Sequence, residues 1–312
     1  MADRLASEIE RLAPGTQLVR LRPDGTYDGD SADIDVFLFS VDLAMADDSL
    51  SAAGSLLDSA SLAWVQGPGA GVEQPIWSEL VDRGVRLTTA AGVHAEPIAQ
   101  YVFTYVLHWH RDVAQHQRQQ SEHAWEPIVS DDLTAKTIGI VGYGGIGQAT
   151  ARVARAFGMR VIALGRREIR DSDVDAAFGP DGLHALLAQS DYVVLAVPLT
   201  ESTHQLIDGP ALAAMPESSV LINVARGAVV DQAALEAALG AQAIRGATLD
   251  VTDEEPLPAA SALWDLPNCV ITPHDAGYSP LAGERLARLF VENLAHYVDD
   301  EPLKNEIRPG RS

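Results

Sequence analysis

Apolar residues in this chain fall into short continuous runs, separated by stretches in which they recur at helical spacing. That is the pattern of an α/β protein whose strands are covered on both faces. In the first third, Leu18 to Leu21, Val36 to Phe39, Ala63 to Gln66 and Val85 to Thr88 read as strands, and Ala2 to Leu12, Leu50 to Ser59 and Pro75 to Arg83 as helices. Glu96 to His116 reads as one long helix with Pro97 near its start, where a missing N–H is tolerated. Arg118 to Thr134 is polar and irregular. A second series follows, with strands at Thr137–Val141, Val161–Leu164, Tyr192–Val197, Val220–Val224, Ala247–Val251 and Cys269–Thr272. An amphipathic helix over Ser279–Tyr297 comes after that sheet. The simplest organisation is one α/β unit, 95–277, inserted into a discontinuous one formed by 1–94 and 278–312.

The second series opens on Gly142-Tyr143-Gly144-Gly145-Ile146-Gly147, which fits G-x-G-x-x-G between a strand and a helix running from Gln148 to Phe157, with Gly158 as its stop. Gly142 permits the tight turn, Gly144 lets backbone approach a pyrophosphate, and Gly147 lets helix and strand pack closely. With Gly145 and Ile146 these residues form a dinucleotide cradle at a helix N-terminus. An NAD site usually carries Asp or Glu at the end of the second strand, holding the ribose 2′-hydroxyl. Here Gly165, Arg166 and Arg167 stand there instead. A glycine removes the charge that would reject a 2′-phosphate and two guanidinium groups can grip one, which favours NADPH while leaving NADH possible. The competing reading is two solvated arginines at a strand end.

Bulk properties exclude several classes. With 47% apolar residues and a mean hydropathy of +0.02, the chain has a globular composition. It contains no apolar run long enough for a membrane span and no secretory pattern near Met1. Cys269 is the single cysteine, so neither an intrachain disulfide nor a cysteine metal cluster is expected, and a cytoplasmic location fits. The formal net charge of −22 argues against nucleic-acid partners and anionic membrane surfaces. Anionic substrates are repelled at long range, so a binding site for one needs local positive charge. The histidines at 94, 108, 110, 116 and 123 mix helix faces and lack H-E-x-x-H, so no metal site is expected.

Candidate chemistry lies beyond three successive strands. Arg226 follows Leu221–Ala225, Glu255 follows Thr248–Val251 by a short acidic loop, and His274 follows Val270–Pro273. In a doubly wound sheet those ends converge on the crevice that holds the cofactor. An arginine there can hold a substrate carboxylate and polarise its carbonyl. A histidine can give a proton to the alkoxide that forms as hydride arrives. A glutamate beside the imidazole favours its protonated form and fixes its orientation.

With these residues in view the chain resembles the D-isomer-specific 2-hydroxyacid dehydrogenase family, in its glyoxylate/hydroxypyruvate reductase-like branch. The resemblance rests on the glycine turn, Pro198-Leu-Thr-Glu-Ser-Thr203, Asn223-Val-Ala-Arg-Gly-Ala-Val-Val-Asp231, Gly246 to Pro256 and Pro273-His-Asp-Ala-Gly-Tyr-Ser279, in family order. Weaker likeness extends from Gly67 to Trp125 and on to Leu303. It implies two Rossmann/flavodoxin-like domains: an NAD(P)-binding domain, 95–277, within a discontinuous substrate domain, 1–94 and 278–312. It also implies a dimer built through the nucleotide domain. By the resemblance Arg226, Glu255 and His274 are the catalytic set, and Asp250 holds the nicotinamide carboxamide. Val197, Pro198, Thr203 and Ala225 line the cofactor, and backbone N–H groups of Ala70, Gly71 and Val72 take the substrate carboxylate. The chain departs from the pattern at Gln100, where the family often has Glu, and at Thr252 and Asp275, where apolar residues are commoner.

The activity so implied is reduction of a small 2-keto acid such as glyoxylate, hydroxypyruvate or pyruvate to the D-2-hydroxy acid. Two alternatives use the same fold. One is a dinucleotide-sensing corepressor, in which binding matters more than turnover. The other is a formate- or phosphite-type dehydrogenase, which normally needs different pocket residues.

Overall fold

Two sheets, each in its own unit, organise the chain. One unit comprises residues 1–94 with 279–312, the other residues 95–278. The structure is a computed structural model that describes residues 2–22, 26–29, 33–44, 59–72 and 74–307. The helix expected over Leu50–Ser59 lies, apart from Ser59, outside the described residues.

In the first unit, β1 (Val36–Leu38), β2 (Trp64–Gln66) and β3 (Arg86–Thr88) are parallel neighbours in that order. β2 is buried along its whole length, as its apolar run requires. Helices Ala2–Leu12 and Pro75–Asp82 form where the apolar spacing placed them. The strand expected at Leu18–Leu21 is not formed: Leu21 makes only an isolated bridge to Tyr27. The Arg20 N–H donates instead to the Asp28 carboxylate at 2.6 Å, so a local turn takes the hydrogen bond a ladder would need.

The second unit is a seven-stranded, all-parallel sheet. It contains β4 (Thr137–Val141), β5 (Arg160–Leu164), β6 (Ala176–Phe178), β7 (Tyr192–Leu195), β8 (Val220–Asn223), β9 (Gly246–Leu249) and β10 (Cys269–Ile271). Its order, β10-β9-β8-β7-β4-β5-β6, is that of a doubly wound dinucleotide fold with the switch point between β4 and β7. Apolar clusters lie on both faces. Leu195, Leu221 and Leu249 belong to one, and Ile138, Ile140, Val194 and Ile222 to the other. Each such side chain contributes roughly 1.5–3 kcal/mol when fully buried, which is why these strands read as unbroken apolar runs rather than alternating ones.

The long helix expected from Glu96 to His116 is two helices, Ala95–His110 and Val113–Ser121. Asp112 between them has a φ of 49°. A helical continuation would need negative φ there, and Asp is among the few side chains that tolerate the left-handed region.

The chain then returns to the first unit through the helix Ala282–Val298 and β11 (Glu306–Ile307), which pairs antiparallel with β3. Trp64 stacks on Phe290 and Tyr297 of that helix, with ring centroids 5.1 and 5.3 Å apart. The fully buried Asn293 amide donates to Gln66 Oε1 and to the Lys304 carbonyl and accepts from the Lys304 N–H. Among the described residues no helix is long and apolar enough to cross a membrane.

Candidate active site

The glycine turn follows β4 directly. Gly142 has a φ of 103°, and a Cβ there would lie 2.5 Å from the Ala196 carbonyl oxygen, so the loops after β4 and β7 meet at the switch point. A Cβ on Gly147 would lie 2.3 Å from the Gly142 carbonyl oxygen. At Gly144, by contrast, a Cβ would meet nothing within 4 Å, so this backbone is open to approach. Helix Gly145–Ala156 begins there, presenting the uncapped N–H groups of its first turn. The turn therefore fits a pyrophosphate. Tyr143, inside it, donates to the Asp171 carboxylate at 2.7 Å. Burial first, then that carboxylate, push the phenol above its ordinary pKa, so it stays a donor, while Asp171 is held below the usual carboxylate range by the Asp173 N–H and by Tyr143.

Gly165 follows β5, and Arg166 and Arg167 beyond it are exposed, with no hydrogen-bond or ion-pair partner among the described residues. On the other side of the switch point Thr203 ties off the loop after β7. Its hydroxyl donates to the Pro198 carbonyl at 2.7 Å and accepts from the Thr200 N–H at 2.8 Å. Val197 and Pro198 lie in that loop.

The three chemical candidates lie beyond β8, β9 and β10, which are neighbours in the sheet. His274 Nδ1 is 2.7 Å from Glu255 Oε2. The other carboxylate oxygen of Glu255 accepts the Thr252 N–H at 3.1 Å, so the carboxylate is held from both ends. Nδ1 facing a carboxylate is the protonated nitrogen, which turns Nε2 outward as the working atom. About half of the His274 side chain is exposed. Its φ of 55° is uncommon for a non-glycine residue; the His274 N–H to the Asp250 carbonyl, 2.9 Å, and the ring's bond to Glu255 hold it there.

Arg226 is positioned by Asn223, whose amide donates to the Arg226 carbonyl at 3.0 Å while its carbonyl accepts the Ala225 N–H at 3.0 Å. The Arg226 guanidinium donates to the Ala225 carbonyl at 2.7 Å. At Gly227 a Cβ would lie 2.0 Å from Thr252 backbone atoms, so the Arg226 loop presses on the loop that carries Glu255. Asp250 is almost fully buried. It accepts from the Thr272 hydroxyl at 2.7 Å and from the Asp275 and Ala276 N–H groups at 3.0 and 3.1 Å. Burial outweighs these bonds and raises its pKa. The sequence did not single out Asn223 or Thr272. Asn223 carried a signal, as a polar residue ending a wholly apolar strand; Thr272 carried none.

Ala70, Gly71 and Val72 follow β2 in the first unit, and Ala70 and Val72 are exposed. Thr252, unusual for its position, is buried and donates to the Glu254 carbonyl at 2.8 Å, so its hydroxyl shapes the acidic loop. The Asp275 side chain is exposed. Among the described residues no group of three or more His, Cys, Asp or Glu is placed to hold a metal ion.

A pyrophosphate cradle at the switch point, next to strand ends that carry an oriented imidazole, belongs to an enzyme that moves hydride and proton together. The class is the NAD(P)-dependent oxidoreductases. Comparison supplies the family. The model of the NAD-binding domain of D-isomer specific 2-hydroxyacid dehydrogenases matches residues 103–276, more than half of the chain, and the chain belongs to that family. It is 39% identical over 231 residues to a glyoxylate reductase of Korarchaeum cryptofilum, covering 72% of this chain and 69% of the relative. The glyoxylate reductase of Pyrococcus horikoshii is 40% identical over 234 residues, with the same coverage. Among solved structures, a D-isomer specific 2-hydroxyacid dehydrogenase from Xanthobacter autotrophicus Py2 in complex with NADPH and MES superposes with a TM-score of 0.82 at 30% identity, covering 100% of this chain and 96% of that one. The NADPH-dependent glyoxylate/hydroxypyruvate reductase of Sinorhizobium meliloti, in complex with NADP and sulfate, gives 0.80 at 25% identity, covering 98% and 95%.

Proposed function

We propose that this enzyme reduces a small 2-keto acid, of the glyoxylate, hydroxypyruvate or pyruvate kind, to the D-2-hydroxy acid, with NADPH preferred to NADH. The observation that carries the reading is the His274–Glu255 pair, 2.7 Å apart, at the strand ends next to Arg226. Likeness to glyoxylate reductases supports the substrate class, and the exposed Arg166 and Arg167 after Gly165 support the phosphate-bearing cofactor.

Bound NADPH supplies hydride to C2. Arg226 binds the substrate carboxylate in a fork and draws electron density toward the keto oxygen. In the first unit, the backbone N–H groups of Ala70, Gly71 and Val72 are the proposed donors to a substrate carboxylate. As C2 takes hydride, the carbonyl π pair moves onto oxygen, and His274 Nε2 gives that oxygen its proton. Glu255 keeps Nδ1 occupied and Nε2 free for the substrate oxygen, and the half-exposed ring regains its proton from water. Asp250 would hold the nicotinamide carboxamide. Gly142, Gly144, Gly145, Ile146 and Gly147 seat the pyrophosphate, Val197, Pro198, Thr203 and Ala225 line the cofactor, and Arg166 with Arg167 take the 2′-phosphate.

Initial rates for a panel of 2-keto acids, each with NADPH and with NADH, test this. Turnover is expected to be faster with NADPH. The double change Arg166→Ala, Arg167→Ala is expected to lower NADPH affinity and leave NADH unaffected, and equal rates with both cofactors would sink the cofactor claim. Near wild-type turnover in His274→Ala would sink the mechanism.

A further inference from the structure

One guanidinium in the first unit departs from the rule that buried charge is paired. Arg285 Nη1 is enclosed and has no hydrogen-bond partner among the described residues. Taking such a donor from water without replacing its hydrogen bond is strongly unfavourable. Other arginines of the unit show the ordinary arrangement: Arg86 pairs with Glu306 at 2.6 Å, and Arg83 donates to the Ser59 carbonyl at 3.3 Å.

The position of Arg285 indicates which group completes it. It lies in helix Ala282–Val298, three residues after Ala282 and four before Leu289, and so shares their face. Ala282, Leu286 and Leu289 pack with Leu38, Ala90 and Val93. Leu38 ends β1 and Ala90 lies just past β3, so this part of the helix covers the C-terminal edge of the parallel strands. The glycine-rich loop after β2 leaves from the same edge, where the Gly69 carbonyl accepts the Ala90 N–H at 2.7 Å. A Cβ on Gly69 would meet nothing within 4 Å, so the loop's backbone is open. Ligands of open α/β sheets bind at that edge. A guanidinium nitrogen with no partner among the described residues and an accessible backbone loop therefore share one end of one sheet. The residue as a whole is partly exposed.

We propose that Arg285 is a carboxylate-binding residue of the first unit, which holds the substrate's carboxylate together with the backbone N–H groups of Ala70 to Val72. The assignment rests on the 2-keto acid reading above. It also supplies local positive charge in a chain whose net charge of −22 repels such a substrate. A guanidinium suits the task because its planar fork matches a carboxylate.

The test compares wild type, Arg285→Gln and Arg285→Lys, with oxamate as a carboxylate probe in the presence of NADPH. Oxamate is expected to raise the melting temperature of wild type, to lose that effect in Arg285→Gln and to regain part of it in Arg285→Lys. KM for glyoxylate and pyruvate should rise about tenfold or more in Arg285→Gln, with kcat and NADPH affinity little changed, the signature of lost substrate binding. Without ligand, Arg285→Gln should melt no lower than wild type, because the guanidinium makes no side-chain hydrogen bond among the described residues. Unchanged KM and an unchanged oxamate shift overturn the proposal, as does a fall in ligand-free melting temperature. If wild type reduces no 2-keto acid, the functional reading fails, and the oxamate arm still decides: a shift lost in Arg285→Gln upholds the site, and no shift in wild type refutes it.

Discussion

His274 shows how much of a catalytic group is made by its neighbours. Its backbone is in the left-handed region, its ring is turned by Glu255, and Glu255 is in turn held by the Thr252 N–H. Replacing Glu255 by Gln keeps the shape, removes the carboxylate that accepts from Nδ1 and frees the ring to choose its tautomer. Single-turnover rates of Glu255→Gln should fall by about a hundredfold, toward the lower end of what positioned general acids contribute, while NADPH affinity, read by fluorescence, stays at the wild-type value. Arg226, Glu255 and His274 were legible because each follows a strand-like run, and parallel strands deliver their ends to one edge. The task of Thr272 was not, since a short polar side chain is given its task only by the neighbours that folding brings to it.

Elements in the second unit are coupled by contacts with no slack. Gly246 starts β9, and a Cβ on it would lie 2.3 Å from the Trp109 ring and 2.7 Å from the Asn268 carbonyl oxygen. Trp109 belongs to helix Ala95–His110, donates to the Thr248 hydroxyl at 2.9 Å, and its carbonyl accepts from Arg245 at 2.7 Å. Gly246→Ala therefore has to push helix from strand and should lower stability by about 1–3 kcal/mol, the usual range for overpacking, as measured by urea unfolding. The buried strands were legible because both faces of a parallel sheet are covered, which makes their sequence apolar without interruption. β6 and β11 were not: they are three and two residues long and only partly buried, so neither a run nor an alternation marks them. The break at Asp112 escaped for a related reason. Helical spacing of apolar residues continues across it, and only the backbone conformation of one aspartate reveals the stop.

At the scale of the whole molecule, charge is the dominant quantity. A net charge of −22 with a pI near 4.6 means that the folded surface repels itself at neutral pH. Sodium chloride raised from about 10 mM to about 500 mM shortens the Debye length from roughly 30 Å to a few ångström. The melting temperature should rise over that range, and a fall would mean that attractive ion pairs outweigh the excess of acid.

The return of the chain through Ala282–Val298 and β11 governs the order in which a ribosome can deliver this protein. Residues 95–278 form a contiguous stretch and have all their strands once Tyr278 has emerged. The first unit is translated earlier yet must wait, because Trp64 is covered by Phe290 and Tyr297, Ile9 packs with Leu294, and β3 gains its last neighbour only from Glu306 and Ile307. During synthesis the amino-terminal third is therefore held open the longest, Trp64 and the apolar strands exposed to chaperones while the later-made unit closes ahead of it.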